Sequence, residues 1–422
     1  MLIDVYLYVT FNSISLNTAN KLKIFNDPIY GFITIPNELI FDLIEHPYFQ
    51  RLRRISQMGL SYLVYPGAHH TRFHHALGCM HLMKNAINVL RFKNIEISKQ
   101  EEDGVLIAIL LHDIGHVPFS HAMEHSIVNS ISHEYISLKF MEVLNEEFDG
   151  ALSLAIEIFK GDYHRKFMNQ LISGQLDMDR LDYLKRDSFY TGVSEGNINS
   201  QRIITMLNVV EDQLVVEEKG IYSIEKFLIA RRLMYWQVYL HKTSLAAEQL
   251  LIRILKRAKE LHHSSHKLHA NDALAYFLNH EVGKDQFDKS VLDVFSNLDD
   301  IDILSAMKVW SQDEDFVLSH LCQMLLKRNL LKIKVKNKSI KSTLKETHIQ
   351  NLITKYDISK EEAEYFVFTG VIENQAYNLD KQNINILMKN GKIRDVTKAS
   401  DQFNLKALSK PVTKYYMCYP KK

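Results

Sequence analysis

Histidines are concentrated in one short part of this chain. Ten of the twenty histidines lie between His69 and His133, although the chain has 422 residues. An ordinary core does not collect imidazoles in this way, because a buried polar ring needs a partner. Metal sites and general acid–base sites do collect them, since imidazole ligates metals and titrates near neutral pH. The distribution therefore predicts a metal site or a proton-transfer site.

The centre of this region is LLHDIGHVPFSH, residues 110–121. His112 and Asp113 stand side by side at the end of an apolar run, and Gly115 and Pro118 then turn the chain. An imidazole next to a carboxylate offers a divalent ion mixed nitrogen and oxygen ligation. Two ligands cannot hold a catalytic metal alone. Further ligands are available upstream in TRFHHALG, residues 71–78, and downstream in QLDMDRLDYLKRD, residues 175–187.

The order H…HD…D in these three motifs resembles the HD superfamily. Within it the chain looks like the deoxynucleoside triphosphate triphosphohydrolase branch, which includes the SAM-and-HD-domain protein and bacterial dGTPase-like enzymes. The resemblance runs from KIFNDPIYG, beginning at Lys23, to YLHKT, in which Lys242 lies. It also includes FQRLRRISQMG, YPGAHHTRFHHALG, HVPFSHAME and ARRLMYWQVYLHK.

The resemblance implies one divalent metal ion and a set of four ligands. These ligands are His75, His112, Asp113 and Asp179. His75 is chosen over His74 because the family places a histidine directly before a small-Leu-Gly sequence, and His74 stands where the family often has an acidic residue. Family members carry manganese, magnesium, iron, zinc or nickel, and a second Mg²⁺ that bridges the substrate phosphates is also compatible with the resemblance.

The implied reaction is attack of water on the α-phosphorus, which releases a deoxynucleoside and intact triphosphate. By resemblance, His121 donates the proton to the leaving oxygen, and His116 contacts the phosphates or the attacking water. His133 and Glu124 match the catalytic histidine of the family and its carboxylate partner. Glu124 stands where the family often has Asp, so its carboxylate reaches one methylene further.

A second group of residues is expected to bind the nucleotide. Asp179, Tyr183 and Asp187 recur at helical spacing, so they share one face of a helix. The resemblance implies that Asp187 binds the 3′-hydroxyl and that Tyr239 crowds the 2′ position and excludes ribonucleotides. The remaining substrate contacts that it implies are Gln57 at the 3′ side of the sugar and four phosphate-binding cations, Arg72, Arg180, Arg231 and Lys242.

Regulated members of the family bind an activating guanine nucleotide between subunits of a homo-oligomer, and many members lack this control. The resemblance implies a dimer or tetramer here as well. The positions that match the regulatory site are Lys23, Asn26, Glu45, Gln50 and Arg53. Glu45 replaces the usual Asp, and either carboxylate can accept hydrogen bonds from a guanine edge.

The elements that must position these residues are mostly helices. Five of the seven prolines lie at or before Pro118 and the next is Pro411, and proline breaks helix interiors. Helices are predicted at 37–46, after the Ser98–Glu101 capping box, and over a long 3.6-residue pattern at 223–262. Residues 21–36 alternate like a hairpin. Strands are predicted after about residue 330 in LLKIKVKN, EYFVFTGV, NINILMKNGKIRDV and KYYMCYP, with a turn at Asn390–Gly391.

We therefore expect a mainly α fold: an HD-domain helical core, a short N-terminal β ribbon and a smaller C-terminal α+β region. The expected divisions are a loosely ordered extension (1–20), ribbon and helices (21–66), the HD phosphohydrolase core with its long helix (67–262), a helical extension (263–330) and the α+β region (331–422).

Composition limits the remaining possibilities. The net charge of +1 gives no whole-chain attraction to nucleic acid or a membrane, although a local basic patch stays open. No stretch approaches the roughly 20 apolar residues of a membrane span, and the N-terminus does not resemble a signal peptide. Cys79, Cys322 and Cys418 are too widely separated for a disulfide framework or a zinc ribbon. A reducing compartment, the cytoplasm, is expected.

Less specific readings remain for several residues. Asp177 and Asp182 are more typical of helix caps or salt-bridge partners than of ligands. His69, His70, His81 and His125 are interpreted as structural residues or as residues that support the metal ligands, and contact of one of them with phosphate stays open. Two alternative functions also remain. One is another HD phosphohydrolase, acting on nucleotide monophosphates, cyclic nucleotides or guanosine tetraphosphate; the other is a nucleotide-sensing or nucleic-acid-binding regulator with little turnover.

Overall fold

The protein is represented by a computed structural model that describes residues 23–119, 131–379, 383–401 and 405–421, and only the backbone at 406 and 407. The described chain is mainly helical, with a two-stranded N-terminal ribbon and two small sheets. The predicted fold class is thereby confirmed. The predicted extension at 1–20 lies outside the described residues.

The helices of the first half are α1 Glu38–Glu45, α2 Pro47–Gln50, α3 Arg72–Phe92, α4 Lys99–Leu111, α5 His133–Glu147, α6 Ser153–Lys160, α7 Lys166–Ser173, α8 Met178–Thr191 and α9 Ser200–Thr205. Those that follow are α10 Ile221–Met234, α11 Lys242–His263, α12 Asp272–Asn279, α13 Lys289–Ser296, α14 Asp300–Trp310, α15 Phe316–Leu326, α16 Ser342–Tyr356, α17 Lys360–Phe366, α18 Val396–Ala399 and α19 Leu405–Leu408. Short 3₁₀ turns lie at Arg51–Arg54, Gly59–Leu63, Ser194–Gly196, Glu218–Gly220 and Lys284–Gln286.

The strands are β1 Ile24–Asp27, β2 Gly31–Thr34, β3 Leu207–Val210, β4 Gln213–Glu217, β5 Lys332–Lys336, β6 Phe368–Asn374, β7 Asn385–Leu387, β8 Ile393–Asp395 and β9 Val412–Tyr419. Strands β1 and β2 form the predicted antiparallel ribbon. The three-stranded sheet has the order β5-β9-β6, and the four-stranded sheet has the order β3-β4-β7-β8.

Helix α4 delivers the HD motif from the centre of the core. Its predicted capping box is formed: the Ser98 hydroxyl accepts from Glu101 N at 3.1 Å, and the Glu101 carboxylate accepts from Ser98 N at 2.7 Å. Every residue from Val105 to Leu111 is at most 1% exposed. A helix that is apolar on all sides must be surrounded by others, and α4 packs against α3 and α6.

The predicted long helix at 223–262 is interrupted in the structure. Helix α10 passes into a π-helical turn at Tyr235–Tyr239, and α11 begins only at Lys242. The Leu240 amide donates to Tyr235 O at 2.7 Å, and the His241 imidazole accepts from the Thr243 amide to start α11. The apolar periodicity continues through the break, which is why the sequence pattern predicted one helix.

The four-stranded sheet joins two distant parts of the chain. The hairpin β3–β4, which the sequence pattern did not predict, pairs in parallel with β7 through Val216 and Ile386. The predicted turn at Asn390–Gly391 does connect β7 to β8, with Gly391 in the left-handed region at φ 79°. In EYFVFTGV the strand begins only at Phe368, because the preceding residues finish α17.

Buried apolar side chains form one continuous cluster in the described chain, from Ile33 on the ribbon to Cys418 on β9. None of the described helices combines the length and the apolar character needed to cross a bilayer.

Ser98→Ala should lower the free energy of unfolding by about 1 kcal/mol, because it removes one side of the α4 capping box. Thr347→Ala, at an exposed interior position of α16, is the control and should cause no loss. Urea denaturation of both variants measures the difference. Equal stability of the two variants would contradict a structural role for this cap.

Candidate active site

The four side chains predicted as metal ligands converge in the structure. His75 Nε2 lies 3.1 Å from Asp179 Oδ1 and 3.6 Å from Asp113 Oδ2. His112 Nε2 lies 3.5 Å from Asp113 Oδ1 and 3.8 Å from Asp179 Oδ1. Atoms that share one ion at bond lengths of about 2.0–2.2 Å lie no more than about 4.4 Å apart. These four distances are compatible with one shared ion. When ligand atoms within 4.8 Å of one another are grouped among the described residues, Cys79 joins His75, His112 and Asp179, and Asp113 joins His116 and His133.

His75 is oriented by a chain of buried ionic contacts. Its Nδ1 lies 2.7 Å from Asp182 Oδ2, and a carboxylate only accepts, so Nδ1 carries the proton and Nε2 keeps its lone pair. Arg186 donates to Asp182 at 2.8 and 3.0 Å and to Asp27, on the ribbon, at 2.7 Å. Asp182 is thus a salt-bridge partner rather than a ligand, one of the readings that the sequence had left open.

His112 is oriented by the end of its own helix. Its Nδ1 lies 2.6 Å from the Ile109 carbonyl oxygen, so Nδ1 donates and Nε2 again keeps the lone pair. Within the described chain, this Nε2 is buried and has no hydrogen-bond partner. A buried polar atom without a partner is costly, and a metal ion in front of it would remove that cost.

The donor set as a whole favours a cation. Two imidazole nitrogens face two carboxylates at 3.1–3.8 Å, so negative charge is concentrated at this point. Burial opposes a charged ring at His112, but Asp113 and Asp179 outweigh it and raise the pKa of His112 above its usual value. In the metal-free chain, a proton on the ring balances part of this negative charge. A divalent ion would balance more of it.

Helices α3 and α8 approach closely beside the ligands. A Cβ on Gly78 would lie 2.1 Å from the Asp182 carboxylate and 2.3 Å from the Arg186 guanidinium. Glycine at this position therefore gives room for the ion pair that orients His75. The Cys79 thiol lies 3.5 and 3.6 Å from the two ring nitrogens of His75. Sequence reasoning did not single out Cys79 as part of the site.

The turn after the HD pair packs directly on the start of α5. A Cβ on Gly115 would lie 2.3 Å from Ser137 N and 2.6 Å from His133 O, so only glycine fits. The Ser137 hydroxyl accepts from Gly115 N at 2.9 Å and donates to the His112 carbonyl at 2.7 Å. This contact brings His116 and His133 into a stack with ring centroids 3.9 Å apart.

His116 lies beside the predicted metal ligands, and His133 stacks on it and is more exposed. His116 Nε2 is 3.4 Å from Asp113 Oδ1. Burial, then Arg72 and His133, hold the pKa of His116 well below its usual value, so the ring is neutral at pH 7. The predicted proton donor His121 and the predicted carboxylate Glu124 lie outside the described residues.

The predicted sugar-binding residues also meet. The Tyr239 hydroxyl donates to Asp187 Oδ2 at 2.8 Å, and the rings of Tyr239 and Tyr183 contact each other edge to face at 6.0 Å. The other Asp187 oxygen accepts from His70 Nε2 at 2.7 Å. Gln57 N donates to the His70 carbonyl, which places Gln57 next to this group.

His70 is the residue of this group whose role the sequence left undecided. Its ring is fully buried and stacks on Tyr190 at 4.3 Å. The only local signal was its position in YPGAHHTRFHHALG, and its partner Asp187 lies 117 residues away. Its role is to orient the Asp187 carboxylate.

The four predicted phosphate contacts differ in their surroundings. Arg72 donates to the Asp113 carboxylate, so it lies against a proposed ligand. Arg180 donates to Asp177, which also caps α8 through the Arg180 amide at 2.7 Å. Nε of Arg180 and Nε and Nη1 of Arg231 are buried without a hydrogen-bond partner among the described residues. Lys242 is exposed at the first residue of α11.

The five residues matched to a regulatory site lie on the ribbon, on α1 and in the segment that follows it. The Gln50 carboxamide accepts from Arg53 at 2.8 Å, and the Arg53 guanidinium packs 3.6 Å from the centre of the Phe73 ring. Lys23 pairs with Glu38 at 2.9 Å. Asn26 and Glu45 are exposed.

Comparison with known proteins assigns the family. Residues 72–187 match the HD domain, and residues 198–281 match the HD associated region. The crystal structure of a phosphohydrolase from Bacteroides thetaiotaomicron is 52% identical and superposes with a TM-score of 0.92 over 95% of this chain and 100% of that chain. The chain belongs to the HD-domain phosphohydrolase family.

Two further relatives show the breadth of the similarity. The uncharacterized protein YwfO of Bacillus subtilis is 36% identical over 315 residues, which cover 73% of this HD phosphohydrolase and 71% of YwfO. The deoxynucleoside triphosphate triphosphohydrolase SAMHD1 homolog of Dictyostelium discoideum is 32% identical over 260 residues, which cover 57% of this chain and 50% of that protein. HD domains bind divalent metals, and the His and Asp groups of this chain could hold one.

Gly115→Ala should destabilise the protein by about 1–3 kcal/mol, because the new methyl group meets backbone atoms that cannot rotate away. The turn and α5 must separate, so the variant should also retain less metal. Gly283→Ala is the matched control, since its Cβ would meet nothing nearer than 3.8 Å. Thermal unfolding and metal analysis after gel filtration measure both effects. Normal stability and metal content in Gly115→Ala would contradict the described packing.

Proposed function

We propose that this HD phosphohydrolase cleaves deoxynucleoside triphosphates into a deoxynucleoside and triphosphate. A divalent metal ion would be held by His75, His112, Asp113 and Asp179. The observation that carries the proposal is the convergence of these ligand atoms on the face of α8 that also presents Asp187 to Tyr239. Eight residues of helix, about 12 Å, separate Asp179 from Asp187. A nucleotide lying along α8 would span this distance.

The buried arginines support an anionic substrate. The unpartnered N–H groups of Arg180 and Arg231 are costly as they stand, and phosphate oxygens would satisfy them. Both residues lie near Tyr183. Burial and then Tyr235 raise the pKa of Tyr183, and the charges of Arg231 and Arg180 oppose this rise. Both cations therefore act on Tyr183, which stands between Asp179 and Asp187 in the sequence of α8.

The bound metal would supply an activated water molecule and charge neutralisation at the attacked phosphate. The chain's own residues would do the rest. His116, neutral and buried, would orient the water or a phosphate oxygen, and His133 would support it through the stacked rings. Asp187 would accept the 3′-hydroxyl hydrogen bond while His70 holds its other oxygen. His121 is the proposed donor of the proton to the leaving C5′ oxygen.

The name of a relative also supports specificity for deoxynucleotides. The Dictyostelium protein is named a deoxynucleoside triphosphate triphosphohydrolase, and its similarity spans 57% of this chain. Activation by a guanine nucleotide at Lys23, Asn26, Glu45, Gln50 and Arg53, and assembly into a dimer or tetramer, are also proposals. A cytoplasmic location is likewise a proposal, as is a metal ion chosen from manganese, magnesium, iron, zinc and nickel.

Asp179→Asn should reduce triphosphate release from every deoxynucleoside triphosphate by at least about a hundredfold, because even residues that only support metal ligands cost about 10–100-fold. Bound metal should fall in parallel. Asp162→Asn, which removes only a surface carboxylate paired with Lys160, is the control and should change neither quantity. Anion-exchange chromatography of the products and elemental analysis give the two readouts.

The products of the unchanged protein decide between the alternatives. Each deoxynucleotide is supplied with and without GTP and with each candidate metal. Intact triphosphate supports the proposal. Phosphate or pyrophosphate would instead indicate another HD phosphohydrolase activity, and tight nucleotide binding without any product would indicate a sensor.

Tyr239→Ala should lower the preference for deoxyribonucleotides over ribonucleotides, measured as the ratio of kcat/KM values, by about tenfold or more. Loss of the ring opens space at the 2′ position. Tyr239→Phe keeps the ring and should preserve this ratio while raising KM, because Asp187 loses a hydrogen-bond donor. An unchanged ratio in a folded Tyr239→Ala variant would refute the crowding role.

A further inference from the structure

A cavity lies in the C-terminal part of the chain. Its lining residues follow every residue of the candidate active site in the sequence. Its volume is about 240 Å³. Four separate segments form it: α15, α16, α17 and the residues that follow β9. The residues that line it are Phe316, His320, Met324, Asn329, Leu352, Lys355, Tyr356, Phe366, Pro420 and Lys421.

Four of its ten lining residues carry aromatic rings. Phe316 and His320 stack at 5.3 Å on one face of α15, and Tyr356 lies 5.4 and 5.9 Å from them. Phe366 completes the group at 5.7 Å from His320. Met324 is buried at one side. A pocket of ring faces and apolar side chains is suited to a flat aromatic ligand.

The charged side chains that line the cavity have a single sign. Its lining residues include Lys355 and Lys421, both exposed, and no carboxylate. Burial, then the charges of Lys355 and Lys327, lower the pKa of His320, so this positive field reaches the ring group.

We propose that this cavity is a binding site for a nucleoside monophosphate. The base would pack against the ring group of Phe316, Tyr356 and Phe366, and the phosphate would lie at the rim between Lys355 and Lys421. A volume of about 240 Å³ is below the roughly 300–1,000 Å³ of pockets for drug-sized ligands, so it admits one base rather than two. The ammonium groups at the rim then match the single phosphate that remains outside.

This site is independent of the proposed hydrolysis, since none of its lining residues belongs to the metal or sugar-binding groups. Its occupant would nevertheless contact α15, which packs on α11, the helix that follows Tyr239.

The test measures binding of adenosine 5′-monophosphate to the full chain by isothermal titration calorimetry in a buffer with a metal chelator. The double variant Lys355→Glu/Lys421→Glu should weaken binding by at least about tenfold, because it reverses both charges at the rim. The control Lys332→Glu/Lys338→Glu makes the same change in net charge at exposed residues outside the cavity and should bind within about twofold of the unchanged chain. Tyr356→Ala should weaken binding without altering net charge.

Thermal unfolding checks that each variant is folded. If either the charge-reversal variant or Tyr356→Ala fails to fold, the other still tests the proposal. The proposal is overturned if the unchanged chain shows no binding at millimolar nucleotide, or if folded Lys355→Glu/Lys421→Glu and Tyr356→Ala both bind normally. Inorganic phosphate that binds as tightly as the nucleotide would also overturn it, because the rings would then contribute nothing. Turnover of deoxynucleotides does not enter the readout, so failure here leaves the proposed hydrolysis untouched.

Discussion

The arrangement of this site depends on one chain of buried charges. Arg186 lies between the carboxylates of Asp27 and Asp182, and Asp182 binds Nδ1 of His75. Burying a charge costs several kcal/mol unless it is paired and its remaining polar atoms are bonded. Two carboxylates meet one guanidinium, so an excess negative charge faces the imidazole. That charge fixes the tautomer and strengthens Nε2 as a donor to a cation.

The same contacts explain why glycine stands beside the histidines. Gly78 leaves the space that the Asp182–Arg186 pair occupies between α3 and α8, and Gly115 lets the HD turn lie on the backbone of α5. In both places a side chain would push apart the two elements that carry ligands or histidines. Asp27 extends the constraint to the ribbon, where it also accepts from the amides of Ile29 and Tyr30 and so shapes the turn. The ribbon is therefore tied to His75 through three ionic contacts.

Local signals in the sequence were sufficient for the fold class, the α4 cap and the convergence of the HD motifs. Each of these depends on residues close together in the chain or on motifs that the family shares. The β4–β7 pairing was not predictable, because Val216 and Ile386 are 170 residues apart and short strands carry little pattern of their own. The contact between His70 and Asp187 was missed for the same reason. For Arg72, the sequence indicated a phosphate contact, while its neighbour in the structure is Asp113.

The π-helical turn at Tyr235–Tyr239 shows how a departure from local pattern serves the site. A regular α-helix through this segment would continue the hydrogen bonds between residues four apart. The wider turn interrupts this pattern, and the Gln237 carbonyl accepts a hydrogen bond from the Tyr65 hydroxyl. π-turns are rare and frequently lie at functional sites. Here the turn ends at Tyr239, whose hydroxyl reaches Asp187, and it separates the helix of Arg231 from the helix of Lys242. The positions of three proposed substrate contacts, Arg231, Tyr239 and Lys242, therefore depend on the π-helical turn between α10 and α11.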